Sequence, residues 1–194
     1  AQEMNHFPAT LRSLKHRNFR LYAFGQGISL TGTWIQWVAL GWLAYRLSNS
    51  MSLLGMIAFC SQGAVFFVTP FAGLLGSHGD KRRLIAVMHY IMLAQAIMLT
   101  TLTWFELIKP WHLLPLALAS GIASAIDAAL RQSALMSLSL EKSHLQNAIA
   151  LNSLLGNVAR VAGPVVAGLA IAAFNEAICF ALTALSFVVV IITL

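Results

Sequence analysis

Ser52–Gly76 reads SLLGMIAFCSQGAVFFVTPFAGLLG, twenty-five residues without a charged side chain. A helix rising 1.5 Å per residue needs about 20 mostly apolar residues to cross the hydrocarbon of a bilayer, so this stretch is long enough to span. Working outward, uncharged apolar cores recur at Leu21–Tyr45, Leu84–Phe105, Trp111–Ile126, Leu145–Ala159 continuing past Arg160 to Phe174, and Ala177–Leu194. Backbone polar groups inside lipid must pair within the protein, which leaves helices or a closed barrel. The apolar–polar alternation of barrel strands is absent. The sequence predicts an all-α, polytopic membrane protein, a bundle of six transmembrane helices.

Composition agrees. Hydrophobic residues make up 59% of the chain, charged residues 9%, and the mean hydropathy is +0.78, against about 25% charged residues in a typical soluble domain. The net charge of +6 does not read as a nucleic-acid footprint, because the cations follow the topology. Arg12, Lys15, Arg17 and Arg20 precede the first span, Lys81, Arg82 and Arg83 join the second to the third, and Arg131 and Lys142 flank the link between the fourth and fifth. Together these hold nine of the twelve Lys and Arg residues; Arg46 and Lys109 fall on the opposite side and Arg160 inside the fifth span. Cations collect in cytoplasmic loops, so the N-terminus is expected in the cytoplasm and anionic lipid is an expected partner.

Residues 1–18 form a polar leader, and 19–194 the six-helix domain. Phe7, Leu11 and Leu14, with Arg12 and Lys15 between them, carry a weak sign of interfacial seating. The segment Arg131–His144 is the longest polar link, with a short surface helix expected in it. Cys60 and Cys179 lie in apolar spans and match no metal-ligand spacing. With no nucleotide-binding loop, metal cluster or nucleophile triad in the sequence, neither an enzyme nor a cofactor or metal is expected, and any work must draw on an ion gradient or a partner. The closing run Phe187–Leu194, FVVVIITL, has no polar residue to end its span, so a longer chain is expected.

The link after the second span, Gly73-Leu-Leu-Gly-Ser-His-Gly-Asp-Lys-Arg-Arg83, resembles the loop signature G-x-L-x-D-R-x-G-R-R of the major facilitator superfamily. Gly73, Leu75, Lys81 and Arg82 match it; Ser77, His78 and Asp80 stand where the family has its acidic residue, its arginine and its second glycine. The fifth span carries Gly156-Asn-Val-Ala-Arg160-Val-Ala-Gly163-Pro164-Val-Val-Ala-Gly168, similar to the glycine–proline motif of exporters in that superfamily. Leu130-Arg-Gln-Ser-Ala, Asn147-Ala-Ile-Ala-Leu-Asn and the opening Phe19-Arg-Leu-Tyr-Ala-Phe-Gly-Gln-Gly-Ile-Ser look closest to its bacterial siderophore and macrolide exporter branch. The resemblance covers nearly the whole chain as the N-terminal half of a twelve-helix transporter. It implies a secondary active exporter of a small amphiphilic molecule in the bacterial inner membrane, working by alternating access, with proton exchange open. It also implies that a C-terminal six-helix half or a partner chain completes the site. A non-transporting membrane subunit that scaffolds a partner is the alternative.

Several polar residues are candidates for function. A charge near mid-helix is expensive in lipid and should face a cavity or a partner, which marks Arg160 either as part of the substrate path or as a structural arginine. Gln26, Gln36 and Gln62 are expected to line a polar cavity or to bond between helices; Thr31, Thr33 and Gln95 carry the same need for partners. The resemblance implies a cytoplasmic gate in which Asp127 meets Lys81 or Arg82, while a pair with Arg131 four residues on is the simpler option. Gly73 and Gly76 would allow helices two and three to approach; Gly156, Gly163 and Gly168 would allow tight packing, and Pro164 a bend. His89 is expected to pack or hydrogen-bond rather than carry a proton, Glu106 and Glu176 to be solvated, and Trp34, Trp37 and Trp42 to pack against lipid rather than stack on a ligand.

Overall fold

A computed structural model of the chain describes residues 17–75, 80–137 and 142–193. Six helices follow one another: α1 (Arg17–Ser48), α2 (Met51–Leu75), α3 (Lys81–Trp104), α4 (Pro110–Ser137), α5 (Lys142–Ala173) and α6 (Glu176–Thr193). There is no strand among the described residues. The long apolar runs form helices because a lipid-exposed backbone has no other way to pair its amides. Asp80 starts α3, its Oδ1 accepting the backbone N–H of Arg82 at 3.1 Å. At the other end of α3, Glu106 takes a positive φ of 57° and turns the chain toward α4.

Two sequence expectations change here. Arg131 lies inside α4 and Lys142 opens α5, so most of the expected polar link is helix, and its residues 138–141 are outside the described residues. The spans also differ in kind. Five segments, Met51–Phe71, Lys81–Trp104, Pro110–Ala134, Ile149–Ala173 and Glu176–Thr193, are long and apolar enough to cross a membrane. Helix α1 is long, 32 residues or about 48 Å, yet it is not in that group. Its polar side chains are the reason. It touches α2, α4, α5 and α6, so Gln26, Ser29 and Gln36 are buried against protein and need no lipid-compatible surface.

The main pairings are α2 with α4, α1 with α5, α1 with α6, α3 with α4 and α3 with α6. Exchanging the first three helices with the last three leaves this set unchanged, the nested inverted repeat already known for six-helix halves of major facilitator transporters. One apolar cluster gathers Ala39, Leu43, Leu99, Leu113, Ala117 and Phe180 toward the ends joined by the α1–α2 and α3–α4 turns. A smaller one joins Met92, Ala96, Ala123 and Phe187. Since lipid offers no hydrophobic drive for helix association, close packing must supply it. Gly163 shows how: a methyl there would run into Cβ of Trp34 and press on the backbone of Thr31 and Ile35, so only glycine lets α5 lie on α1. Gly156 and Gly168 do not share this role, because nothing lies within 4 Å of a Cβ placed at either. Helix α5 runs unbroken through Pro164.

Candidate functional site

Two polar layers cross the interior between α1, α3 and α4. In the first, the amide nitrogen of Gln36 donates to Gln95 Oε1 at 3.1 Å and to Ser120 Oγ at 3.5 Å, and Gln95 Nε2 donates to the Leu116 carbonyl at 3.2 Å. Each amide satisfies a neighbour that lipid would not. Gln26 is buried as well, with its Oε1 unpaired among the described residues. Gln62, expected beside it, is exposed on α2 instead: its neighbours Ser61 and Ala64 are the buried ones and turn it outward. Thr31 and Thr33 bond their own helix, to the carbonyls of Gly27 and Ser29.

The second layer carries charge. His89 of α3 is fully buried. Its Nδ1 lies 3.0 Å from the Ile85 carbonyl and its Nε2 lies 3.1 Å from Arg131 Nη2. A carbonyl only accepts and a guanidinium only donates. The ring is therefore neutral, with its proton on Nδ1 and its lone pair on Nε2. Ser29 Oγ of α1 stands 3.4 Å from the same Nε2, and the Phe187 ring of α6 meets the imidazole edge-on at 5.9 Å. Asp127 holds Arg131 through Oδ2 and Nε at 2.8 Å. Its Oδ1 is 3.4 Å from His89 Nδ1, close enough for charge to be felt. It makes no hydrogen bond there, because the Nδ1–H points to Ile85. Arg131 is 4% exposed, so this is an ion pair inside the span, with a histidine as the third member.

The geometry differs from the expected gate. Asp127 pairs with Arg131 on its own helix, where i,i+4 spacing brings the two together. Lys81 Nζ donates to the Ser133 carbonyl at 3.1 Å, which ties the start of α3 to the end of α4, and the Arg82 side chain is exposed. Asp80 is engaged at the helix start and with Arg83 at 3.3 Å. Gly73 lies in the last turn of α2; Gly76, Ser77 and His78 fall outside the described residues. Glu176 also departs from expectation: it is 4% exposed and bonded to Arg46 at 3.0 Å, closing α1 against α6 at the opposite end. Glu106 is exposed, as expected.

Arg160 forms a third feature. Its side chain is exposed on α5, and its guanidinium carbon sits 5.3 Å from the centroid of the Trp34 ring on α1. Trp37 meets Trp34 edge-on at 6.0 Å and is 40% exposed. Helical spacing puts Leu30, Trp34 and Trp37 on one stripe of α1, and Gly41 continues it to Leu54 of α2. At Trp37 the stripe is open, aromatic and apolar, with the Arg160 cation at its border.

What sequence reasoning missed was His89 as the centre of a layer. The signal was there: Ile85, His89, Met92, Ala96, Leu99 and Thr103, all buried, repeat at four- and three-residue steps, which is one face of a helix. A histidine in phase with that stripe has to face the bundle.

The family model for transmembrane secretion effectors, a group of the major facilitator superfamily, matches residues 8–194. The staphyloferrin A transporter of Staphylococcus aureus (strain NCTC 8325 / PS 47) is 28% identical over 157 residues, covering 77% of this chain and 39% of that relative. The chain thus spans about two-fifths of the length of the curated relative it matches. No solved structure matches it.

Proposed function

Because the chain belongs to the transmembrane secretion effector family, we propose that it is one six-helix unit of a secondary active exporter. It moves a small amphiphilic anion across the bacterial inner membrane, with its N-terminus in the cytoplasm. The observation that carries this reading is Arg160: an exposed guanidinium inside a span, resting on Trp34 beside Trp37. A cation in lipid is costly, and a cation–π contact contributes only about 0.5–2 kcal/mol. An anionic group on the substrate repays the rest, and the tryptophan faces take its apolar part. The siderophore named for the S. aureus relative suggests the substrate class.

In transporters of this superfamily the substrate sits near the midplane between repeats that rock around it. The two spans with the smallest buried share are those of α2 and α5, 17% each, and the inverted repeat relates these two helices. Their open faces are where a second six-helix unit seats, whether from the same polypeptide or a partner. Proton exchange supplies the energy. Asp127 and Arg131, with Lys81 and Arg82 at the same end, act as the inner gate, with Asp127 closed on Arg131.

Binding tests the reading. In the chain reconstituted in nanodiscs, staphyloferrin A should quench tryptophan fluorescence saturably. Arg160→Gln should weaken that binding about tenfold, the equivalent of 1.4 kcal/mol, and Arg160→Lys less. Unchanged affinity in Arg160→Gln would remove Arg160 from the substrate path. Vesicles carrying this chain by itself should not accumulate the compound, and robust uptake without self-association would sink the two-unit arrangement.

A further inference from the structure

We infer that His89 is the proton-binding site of this protein, and that its occupancy decides whether Arg131 stays docked between α3 and α4. The inference deepens the exporter reading, on which it rests for its role in coupling; its chemistry rests on geometry alone.

In the structure the layer is balanced. Asp127 is negative, Arg131 positive, and the imidazole neutral by its partners, since Nδ1–H donates to the Ile85 carbonyl and Nε2 accepts from Arg131. The groups that face the ring are Ser29 from α1, Asp127 and Arg131 from α4, and the Phe187 ring from α6. A proton arriving from water can bond only at Nε2, the site Arg131 Nη2 now occupies as a donor. Once it is bound, two donors meet at 3.1 Å and two positive charges face each other in a buried layer. Like charges at such a distance repel far more strongly in protein than in water. The contact must open.

The layer already holds the group that makes the second state tolerable. Asp127 Oδ1 is buried, has no hydrogen-bond partner among the described residues, and stands 3.4 Å from Nδ1. The neutral histidine makes no use of this oxygen. The imidazolium does: Asp127 then balances His89 in place of Arg131, and Arg131 is released toward the Lys81 end of α4. His89 has no exposure of its own, so the proton reaches Nε2 as Arg131 swings away from it and admits water. No bond other than one N–H forms, the proton comes from water, and Arg131 keeps its own protons throughout. A histidine that only packed would leave the spare carboxylate oxygen without a purpose, and a buried polar atom without a partner is costly.

The movement follows from what Arg131 joins. It bonds α4 to α3 at His89, and Ser29 of α1 shares the same nitrogen. Losing it loosens three helices at one end only, because the Gln36–Gln95–Ser120 layer contains no group that titrates.

The test titrates the chain in lipid nanodiscs without substrate. Histidine ¹⁵N NMR should find His89 as the neutral Nδ1–H form at alkaline pH and doubly protonated as pH falls. Spin labels at Tyr90→Cys and Gln132→Cys, with Cys60→Ser and Cys179→Ala, report the α3–α4 distance. That distance should lengthen by roughly 2 Å, the size of helix shifts in switching proteins, with the midpoint of the His89 transition. His89→Gln, whose amide accepts from Arg131 and binds no proton, should hold one distance at every pH. If His89 stays singly protonated wherever the helices remain folded, or if it charges while the distance stays fixed, the proposal is overturned. The wild-type titration decides this even where a variant folds poorly. A protein whose His89 switches but whose affinity ignores Arg160 would sink the substrate reading and keep this one.

Discussion

The two polar layers use the same three helices and differ in almost everything else. Six residues along α3 separate His89 from Gln95, and seven along α1 separate Ser29 from Gln36, so about 10 Å lies between them. In the amide layer these bonds join neutral donors and acceptors, and no change of protonation rearranges them. In the charged layer a neutral ring sits against an ion pair with one carboxylate oxygen to spare. A bundle that must open at one end and hold at its middle needs both kinds of contact. The amides act as a fixed pivot and the charged group as a catch.

If that division is right, the charged layer should be the more sensitive to loss of one partner. Asp127→Ala leaves the guanidinium of Arg131 buried without its carboxylate. Breaking a buried pair from one side costs about 3 kcal/mol or more, readable as the unfolding free energy of the chain in bicelles. Removing both charges together, in Asp127→Ala/Arg131→Leu, should recover much of that loss, because no charge is then stranded. A loss below about 1 kcal/mol for Asp127→Ala would break the comparison, since the pair would then behave like a solvated one.

The next effect is smaller. Gln95→Leu removes the nearer acceptor for Gln36 and the donor to Leu116, leaving Gln36 with only its longer contact to Ser120. Polar bonds between membrane helices are each worth about 0.6–2 kcal/mol, so the same unfolding measurement should show a loss of roughly 1–2 kcal/mol. A cost equal to that of Asp127→Ala would mean that charge adds nothing to the hold of the first layer.

How much of this was written in the sequence depends on how far apart the partners are. The fold class was legible because each span is a local property, as the uncharged run from Ser52 to Gly76 illustrates. The Asp127–Arg131 pair was legible too, since i,i+4 spacing on one helix needs no tertiary knowledge. Pairings across the fold were not. Nothing local places Glu176 against Arg46, and solvation was the reasonable expectation for a carboxylate at a helix end until α6 is seen to lie on α1. Gln62 and Gln36 are the same residue type in similar apolar company, yet one faces out and the other in, because α2 turns Ser61 and Ala64 toward the bundle. The glycine–proline motif divides likewise: three glycines fit one pattern, and only Gly163 meets another helix. The expected pairing of Asp127 with Lys81 or Arg82 gave way to a partner within reach on its own helix.

The smallest expected effect is also the most discriminating. In a double-mutant cycle of Gln36→Leu and Gln95→Leu, the coupling should be about 0.6 kcal/mol, the average for side-chain hydrogen bonds between membrane helices. Each single variant removes this bond and leaves the other contacts of its partner in place, so the cycle isolates the pair. Its value should be the same at pH 5 and pH 8, because neither amide gains or loses a proton there. The corresponding cycle of His89→Leu and Arg131→Leu should change between those two conditions, being favourable when the ring accepts from Arg131 and lost or reversed when the ring is charged. Two cycles on the same helices, one flat with pH and one not, would establish the pivot and the catch as separate devices. If both are flat, His89 is held neutral throughout and the lower layer is a second pivot.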